Sequence, residues 1–244
     1  MVHEIMFMSE GRSIPFVRVP GHDHAAIGYA LDAGASIICP QVDTVEQAKH
    51  IVSAAKFGAK VNGTRSAPPF RLIPGVTDVP FDTSKTLHEN LNEQAAIIIQ
   101  IESVEGVNNL DAILTECPEI DCVWFGTLDC RVSMGLPGNM GMGGAEPEWQ
   151  EATARYTATI KKHNKPSSGF AWGPAASTMG AGKSFIIVAA DVMAIASTTA
   201  ALTAAREMFP ASLNAVKSVN GEDVNGKATN GINGHGELPI VAAE

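Results

Sequence analysis

Polar side chains occur at the carboxyl ends of several buried apolar runs, which is where parallel α/β folds collect their reactive groups. The run PFVRV carries Arg18, the run AAIIIQI carries Gln100 and leads to Glu102, and Asp129 follows the run CVWF. Two carboxylates with an amide alongside suit a hard divalent ion, which takes oxygen ligands and keeps its other positions for water or substrate. Arg18 is suited to hold a substrate carboxylate by bidentate hydrogen bonds.

Each of these charged residues also has a structural interpretation. Glu102 directly precedes Ser103 and a helical pattern, so its charge is favourable near the positive end of that helix. Asp129 can accept hydrogen bonds from its own loop, and Arg18 can form a structural ion pair with either acid. Taken singly, each residue favours a structural role, whereas the occurrence of all three at strand ends favours a functional site.

Short apolar runs alternate with helical patterns along most of the chain. The runs are almost continuously apolar, which indicates strands covered on both faces. Repeated strand and helix order predicts parallel strands joined by right-handed crossovers. The predicted strands span residues 15–19, 36–40, 95–101, 122–125, 169–172 and 184–189, and the predicted helices span residues 24–33, 45–57, 104–114, 149–163 and 192–209.

Three segments interrupt this alternation. Residues 62–91 contain four prolines and residues 135–148 several glycines, and loops of such length in a compact domain are typically functional or disordered. From residue 217 the chain carries Asn-Gly pairs without flanking apolar strands, so it has too little apolar surface to offset the entropy of ordering. We therefore expect one α/β domain in residues 1–216 and a flexible tail in residues 217–244.

Composition narrows the class of partner. The chain has 244 residues, of which 45% are hydrophobic and 18% charged, so it can bury a full core. Its net charge of −9 argues against nucleic acid or an anionic membrane surface, since both are bound mainly through Lys and Arg. No apolar run approaches the roughly 20 residues that span a bilayer, and four irregularly spaced cysteines are typical of reduced cytosolic proteins. We expect a soluble cytoplasmic protein, with small molecules and other proteins as the remaining classes of partner.

The motifs that contain the candidate residues occur in a recognisable order. Arg18-Val19-Pro20 is followed by Leu31-Asp32-Ala33-Gly34-Ala35, then by Gln100-Ile101-Glu102, and finally by Phe125-Gly126-Thr127-Leu128-Asp129 with Ser133-Met134-Gly135. This ordered set resembles the HpcH/HpaI aldolase family, and within it the fungal macrophomate synthase-like branch. The likeness spans roughly residues 9–209.

The resemblance implies a TIM (β/α)8-type barrel and a class II aldolase, a carbon–carbon lyase that holds pyruvate or oxaloacetate as a metal-bound enolate. It implies Mg²⁺, or Mn²⁺ or Co²⁺, as the cofactor and a homo-oligomer as the assembly. Carried over position by position, it assigns Glu102 and Asp129 as metal ligands, Arg18 and Gln100 as catalytic residues, and Arg18, Gln41, Thr127 and Leu128 as substrate-binding residues. Gln41 stands where the macrophomate branch has His, and Thr127-Leu128 replaces a common Pro-Ala.

The chain departs from the family pattern before the first apolar run. Family members place a strand ending in an Asp-x-Glu-His-Gly type motif, whose His takes part in proton transfer, before the Arg-Val-Pro strand; here only His3 precedes Arg18. Six apolar runs also fall short of the eight strands of a closed barrel. We therefore expect an N-terminally truncated barrel without its first two strands. The preferred function is a 2-oxo acid lyase; a catalytically degenerate paralogue and a non-catalytic subunit completing a barrel with a partner remain as alternatives.

Overall fold

The computed structural model describes residues 1–10, 12–67, 82–173 and 176–209. The chain forms two compact units, Met1–Val188 and Ala189–Glu244. All described strands belong to the first unit, and the described part of the second unit contains one helix. The predicted tail at 217–244, the predicted boundary at residue 216 and part of the predicted loop at 62–91 lie outside the described residues.

The six predicted strands form one parallel sheet, which confirms the predicted α/β class. Their order in the sheet follows their order in the chain, and each neighbouring pair is parallel. The strands are β1 (Phe16–Arg18), β2 (Ser36–Cys39), β3 (Ile97–Ile101), β4 (Cys122–Phe125), β5 (Ser167–Phe170) and β6 (Phe185–Ile187). The fifth strand begins two residues earlier than predicted, because Ser167 and Ser168 pair with β4 despite their polar side chains.

The five predicted helices are present, with ends that differ from the predicted ones by at most two residues. The described helices are α1 (Val2–Ser9), α2 (His24–Asp32), α3 (Val45–Ala55), α4 (Leu87–Gln94), α5 (Val104–Glu116), α6 (Thr127–Ser133), α7 (Pro147–Lys162), α8 (Ala176–Gly180) and α9 (Asp191–Met208). Helix α9 is the helix of the second unit. Within the described ranges, no helix combines the length and apolar character needed to cross a bilayer.

Helix α4 contradicts the prediction that residues 62–91 form a loop throughout. Its sequence, LHENLNEQ, has too few apolar residues for a recognisable helical period. The helix is stabilised instead by a capping box, in which Thr86 and Glu89 exchange hydrogen bonds. The side-chain amide of buried Asn90 also donates to the backbone oxygen of Asp82. Local polar contacts, which periodicity does not detect, therefore define this element.

The sheet curls so that its two edge strands approach each other. The ring centroids of Phe16 in β1 and Phe185 in β6 lie 5.0 Å apart. A small apolar cluster that includes Ile98 and Trp124 packs on the same side as these rings. A larger cluster, which includes Ile51 of α3, fills the space between the opposite face and the helices. This is an incomplete barrel of the TIM type, as the sequence predicts, with six described strands where a closed barrel has eight.

Gly28 lies in α2 at a position where an added methyl group would change only the helix propensity. A Cβ atom built there meets nothing within 4 Å. Because Ala loses less backbone entropy than Gly on entering a helix, we expect Gly28→Ala to raise the free energy of unfolding by about 0.5–1 kcal/mol, measured by denaturant unfolding. The control is Gly34→Ala, which should destabilise the chain because Gly34 has a φ of 91°. A Gly28→Ala variant less stable than the parent would contradict this expectation.

Candidate active site

The carboxyl ends of β3 and β4 bring three of the predicted site residues together. Gln100 lies on β3, and Glu102 is the first residue after it. Beyond β4 the chain turns at Gly126, whose N–H donates to the Ile101 oxygen at 2.9 Å. Asp129 then lies in the first turn of α6, a seven-residue helix that the sequence did not predict. Because β3 and β4 are adjacent and parallel, the two acids reach the same rim of the sheet.

Glu102 is a buried carboxylate, with 5% of its surface exposed. Its Oε2 accepts the backbone N–H of Gln41 at 2.9 Å, and its Oε1 accepts the side-chain amide of Gln100 at 3.3 Å. Burial raises the pKa of Glu102, and Asp129 raises it further through its charge and a hydrogen bond. The N–H of Gln41 and the charge of Arg18 lower the pKa. Glu102 and Asp129 both line one cavity, so the two carboxylates lie beside the same space.

Gln41 takes part in this site through its backbone. Its φ of 51° is unusual for a residue other than glycine, and its N–H donates to Glu102. Its side chain is exposed. The loop that carries Gln41 is tied to the start of α5, because Ser103 hydrogen-bonds to the Asp43 carboxylate and the Asn109 amide donates to the Asp43 backbone oxygen at 2.7 Å. The backbone donor to Glu102 is thus held by contacts between two neighbouring loops.

Gly126 makes room for the Glu102 side chain. A Cβ atom at this position would lie 2.5 Å from Glu102 Cγ and 2.7 Å from Glu102 Oε1. Both distances are far below van der Waals contact, so only glycine lets α6 begin this close to the carboxylate. The Phe125-Gly126 part of the motif therefore has a steric reason that the sequence alone did not reveal.

Arg18 reaches the carboxylates through Gln100. Its Nε donates to Gln100 Oε1 at 2.7 Å, and the Gln100 amide group donates in turn to Glu102. Arg18 is exposed. Among the described residues, no carboxylate lies within ion-pair distance of its guanidinium. The structural alternative of an ion pair with Glu102 or Asp129 is thus not what the structure shows. A charged donor at the rim, held in place by an amide, is suited to bind an anion from solution.

A cavity of about 460 Å³ opens beside the acids. Its polar lining consists of Gln100, Glu102, Thr127, Asp129, Thr178 and Lys183. Its apolar lining consists of Trp124, Phe125, Leu128, Met140, Met142, Phe170, Trp172 and Met179, with glycines between them. Of the predicted substrate-binding residues, Thr127 and Leu128 line the cavity, whereas Arg18 and Gln41 do not belong to its described lining. The Thr127 hydroxyl donates to the Gly141 oxygen at 2.7 Å, so its proton is already engaged.

Sequence reasoning missed several lining residues. Met140 and Met142 come from the glycine-rich stretch at 135–148, which the sequence predicted to be a long loop without assigning site residues to it. Phe170 is the last residue of β5 and Trp172 lies two residues beyond it, so the rule used for the other strand ends also applies to them. Lys183 is the cation of the described lining; its Nζ donates to the Met179 oxygen, and burial lowers its pKa. It precedes β6, and no strand-end pattern marks it.

The two acids fit the kind of ion that the sequence resemblance implies. No group of three or more His, Cys, Asp or Glu side chains gathers in a metal-binding arrangement within the described residues. Mg²⁺ does not need such a group, because it is commonly held by one or two carboxylates while water and substrate oxygens complete its shell. Glu102 and Asp129 supply two such carboxylates next to a cavity large enough for a small acid.

The fold and this rim define a TIM-type α/β protein with paired acids at the carboxyl ends of its strands. A profile of the HpcH/HpaI aldolase/citrate lyase family matches residues 1–205. The chain belongs to this family, which confirms the resemblance found in its motifs.

Individual relatives agree with this assignment. The chain is 30% identical over 199 residues to a 2-keto-3-deoxy-L-rhamnonate aldolase of Salmonella gallinarum, covering 79% of this chain and 69% of the relative. The crystal structure of macrophomate synthase matches with a TM-score of 0.70 and 31% identity, over 85% of this chain and 73% of that chain. A family member from Burkholderia cenocepacia J2315 matches with a TM-score of 0.68 and 29% identity, over 84% and 79%.

Proposed function

We propose that this chain is a divalent-metal-dependent carbon–carbon lyase that acts on 2-oxo acids of the pyruvate and oxaloacetate type. The observation that carries the proposal is the convergence of Glu102 and Asp129 beside one cavity, with Arg18 linked to Glu102 through Gln100. Membership of a family of aldolases and lyases supports the same reaction class. Of the relatives named above, one is named an aldolase and one a synthase.

Glu102 and Asp129 would hold Mg²⁺, or Mn²⁺ or Co²⁺. When bound there, such an ion supplies Lewis acidity that stabilises negative charge on the keto oxygen of the substrate. The Gln41 N–H keeps the Glu102 carboxylate oriented toward the cavity side of the rim. Gly126 leaves the space that this orientation needs.

Arg18 and Gln100 are proposed to position the acid. The guanidinium at the rim offers donors to the substrate carboxylate, and Gln100 fixes the guanidinium by accepting from its Nε. The apolar lining limits the access of water to the reacting carbons. In oxaloacetate decarboxylation, the bond to the departing carboxylate breaks, carbon dioxide leaves, and the electron pair remains as the enolate of pyruvate. Protonation of the enolate carbon completes the reaction.

Decarboxylation suits this site because its bond-breaking step needs charge stabilisation and no protein base. Aldol cleavage, by contrast, requires a base to take the proton from the hydroxyl group of a 4-hydroxy-2-oxo acid. No histidine lines the described cavity, in keeping with Gln41 in place of the histidine of the macrophomate branch. We therefore expect oxaloacetate decarboxylation to be the most direct measure of the site.

A second candidate is a subunit that completes a barrel with another chain. The edge strands β1 and β6 each pair with one neighbour within the described sheet, which leaves backbone groups available for further pairing. A homo-oligomer would satisfy the same edges. We also propose a cytoplasmic location, because all four cysteines are buried free thiols, as is usual in a reducing compartment.

The test is oxaloacetate decarboxylation by the purified chain with Mn²⁺ or Mg²⁺. We expect pyruvate formation to exceed that of the same metal without protein, to stop with excess chelator, and to return when metal is added back. Free divalent ions decarboxylate oxaloacetate slowly by themselves, so metal with heat-denatured protein is the control. Metal binding without turnover would favour the degenerate paralogue, and turnover insensitive to chelator would remove the metal-dependent proposal.

A further inference from the structure

The glycine-rich segment between α6 and α7, residues 135–146, forms one wall of the cavity. Met140 and Met142 line the cavity from this segment. They are exposed at its mouth, with 69% and 49% of their surfaces accessible. Phe170, Trp172 and Met179 contribute further apolar surface to the cavity. Beside these residues only Thr178 and Lys183 add polar groups, so the described lining beyond the two acids, Gln100 and Thr127 is mainly apolar.

Arg131 holds both ends of this segment. Its side chain is completely buried, and its two Nη atoms donate to the Glu146 carboxylate at 3.0 and 2.7 Å. Its Nε donates to the Pro137 oxygen at 2.7 Å, and its guanidinium lies 5.1 Å from the Trp149 ring centroid. We call Arg131 and Glu146 the clasp. The bidentate geometry fixes the orientation of the guanidinium as well as its position.

The same segment is tied to the helix that carries Asp129. Thr127 at the start of α6 donates to the Gly141 oxygen, and Gln150 of α7 donates to the Gly144 oxygen. A Cβ atom on Gly144 would lie 1.9 Å from Glu146 Oε2 and 2.3 Å from an Arg131 Nη atom, so the backbone passes directly against the clasp. The methionines are thus presented by a segment with defined attachments.

We propose that the clasp positions residues 135–146 as the wall that selects the second substrate of the aldol reaction, an aldehyde whose substituent is apolar. The inference rests on the proposed lyase function. The acids and Arg18 account for the 2-oxo acid, which leaves the apolar half of the cavity for the aldehyde carbon chain. Methionine side chains suit such a surface because they are flexible and adapt to ligands of different shape.

A hydroxylated aldehyde would be less well bound there. Its hydroxyl groups would lose hydrogen bonds to water on entering a surface made mainly of thioether and aromatic groups, to which only Thr178 and Lys183 of the described lining add polar groups. Arg131 and Glu146 point at each other and at the segment, so they act on the aldehyde through the position of Met140 and Met142. They are positioning residues, and their effect should appear in the recognition of the aldehyde and not in reactions that need no aldehyde.

The experiment compares three reactions of the chain loaded with Mn²⁺. They are decarboxylative addition of oxaloacetate to benzaldehyde, the same addition to glycolaldehyde, and oxaloacetate decarboxylation without an aldehyde. In each addition the bond to the departing carboxylate breaks and carbon dioxide leaves, the enolate carbon so formed bonds to the aldehyde carbon as its C=O π bond breaks, and the aldehyde oxygen takes a proton from water. We expect the parent chain to prefer benzaldehyde in kcat/KM by about tenfold, the size of effect that a small difference in apolar contact produces.

Glu146→Gln tests the clasp, because it removes the charge while keeping a hydrogen-bonding side chain of the same size. We expect the KM for benzaldehyde to rise about tenfold with decarboxylation within about twofold of the parent. The double variant Met140→Gln/Met142→Gln, at exposed positions, should lose the preference for benzaldehyde even if Glu146→Gln folds poorly. The control is Glu148→Gln, at an exposed position of α7 outside the clasp.

Binding provides a measurement that does not require turnover. Trp124 and Trp172 line the cavity, so tryptophan fluorescence should report benzyl alcohol binding, with glycerol as the hydroxylated comparison. Absence of decarboxylation in the parent chain would count against the proposed function, and the binding arm would still test the wall. A preference for glycolaldehyde, or binding of benzyl alcohol unaffected by the methionine double variant, would overturn the inference.

Discussion

Glu102→Gln should reduce metal-dependent oxaloacetate decarboxylation by at least about 100-fold, the size of effect expected when an electrostatic group at the reacting centre is removed. Glutamine has nearly the same volume and keeps an oxygen that can accept from the Gln41 N–H. It cannot supply the second negative charge that, beside Asp129, would balance the charge of a divalent ion. The loss should therefore appear at all metal concentrations that leave the parent chain saturated.

Thermal unfolding separates this effect from misfolding. The parent chain should melt at a higher temperature with Mn²⁺ than with chelator, because a ligand that binds only the folded state stabilises it. Glu102→Gln should lose this rise. Without metal, the variant should be at least as stable as the parent, because burial and the charge of Asp129 both disfavour an ionised Glu102.

Glu105→Gln is the matched control. Glu105 lies three residues further along the chain and is exposed in the first turn of α5. It loses the same charge without touching the site, so both its activity and its metal-dependent stabilisation should equal those of the parent. A Glu102→Gln variant that retains parental turnover, or a Glu105→Gln variant that loses it, would contradict the assignment of Glu102.

Gly126→Ala should be comparably damaging, although it removes no functional group. The added methyl group would lie 2.5 Å from Glu102 Cγ and 2.7 Å from Oε1, so either the carboxylate or the start of α6 must move. Either movement changes the position of Glu102 relative to Asp129, because one acid follows β3 and the other lies on α6. We expect decarboxylation to fall by about 100-fold, since small displacements of positioned groups carry costs of this size.

A second glycine, Gly21, provides a control for the effect of the added methyl group itself. Gly21 has no heavy atom within 4 Å of a built Cβ, and it is not among the glycines of positive φ. Gly21→Ala should therefore leave decarboxylation unchanged. Both variants are assayed with saturating Mn²⁺ and compared by circular dichroism, so that loss of fold is distinguished from loss of the site. Parental activity in a folded Gly126→Ala protein would show that the crowding at Glu102 is not essential.

Much of the sheet could be predicted from local sequence, for a physical reason. Strands that are covered on both faces must be apolar at nearly every position, so they can be recognised from runs of consecutive apolar residues such as 97–101. Elements held by polar contacts were harder to recognise. Helix α4 depends on a capping box and on the buried Asn90, and α6 has only seven residues. Neither offers the repeated apolar spacing that periodicity measures.

The candidate site divides in the same way. The strand-end positions of Arg18, Gln100, Glu102 and Asp129 follow from sequence, because residues at the ends of parallel strands share one rim. Their connections do not. That Arg18 contacts Gln100 depends on how strands 82 residues apart in sequence are aligned in the sheet. The hydrogen bond from the Gln41 N–H to Glu102 depends on a φ of 51° at Gln41. A glutamine at this position does not predict such a φ.

The sequence by itself determined the class of fold, the positions and parallel direction of the strands and the chemical types available at the rim. Those properties depend on the hydrophobicity of consecutive residues and on short motifs. Only the tertiary structure decided that a glycine must face Glu102, that Arg131 closes on Glu146, and that methionines form the far side of the cavity. Such contacts arise when segments distant in the chain pack together, and their steric and electrostatic complementarity has no local pattern from which to be read.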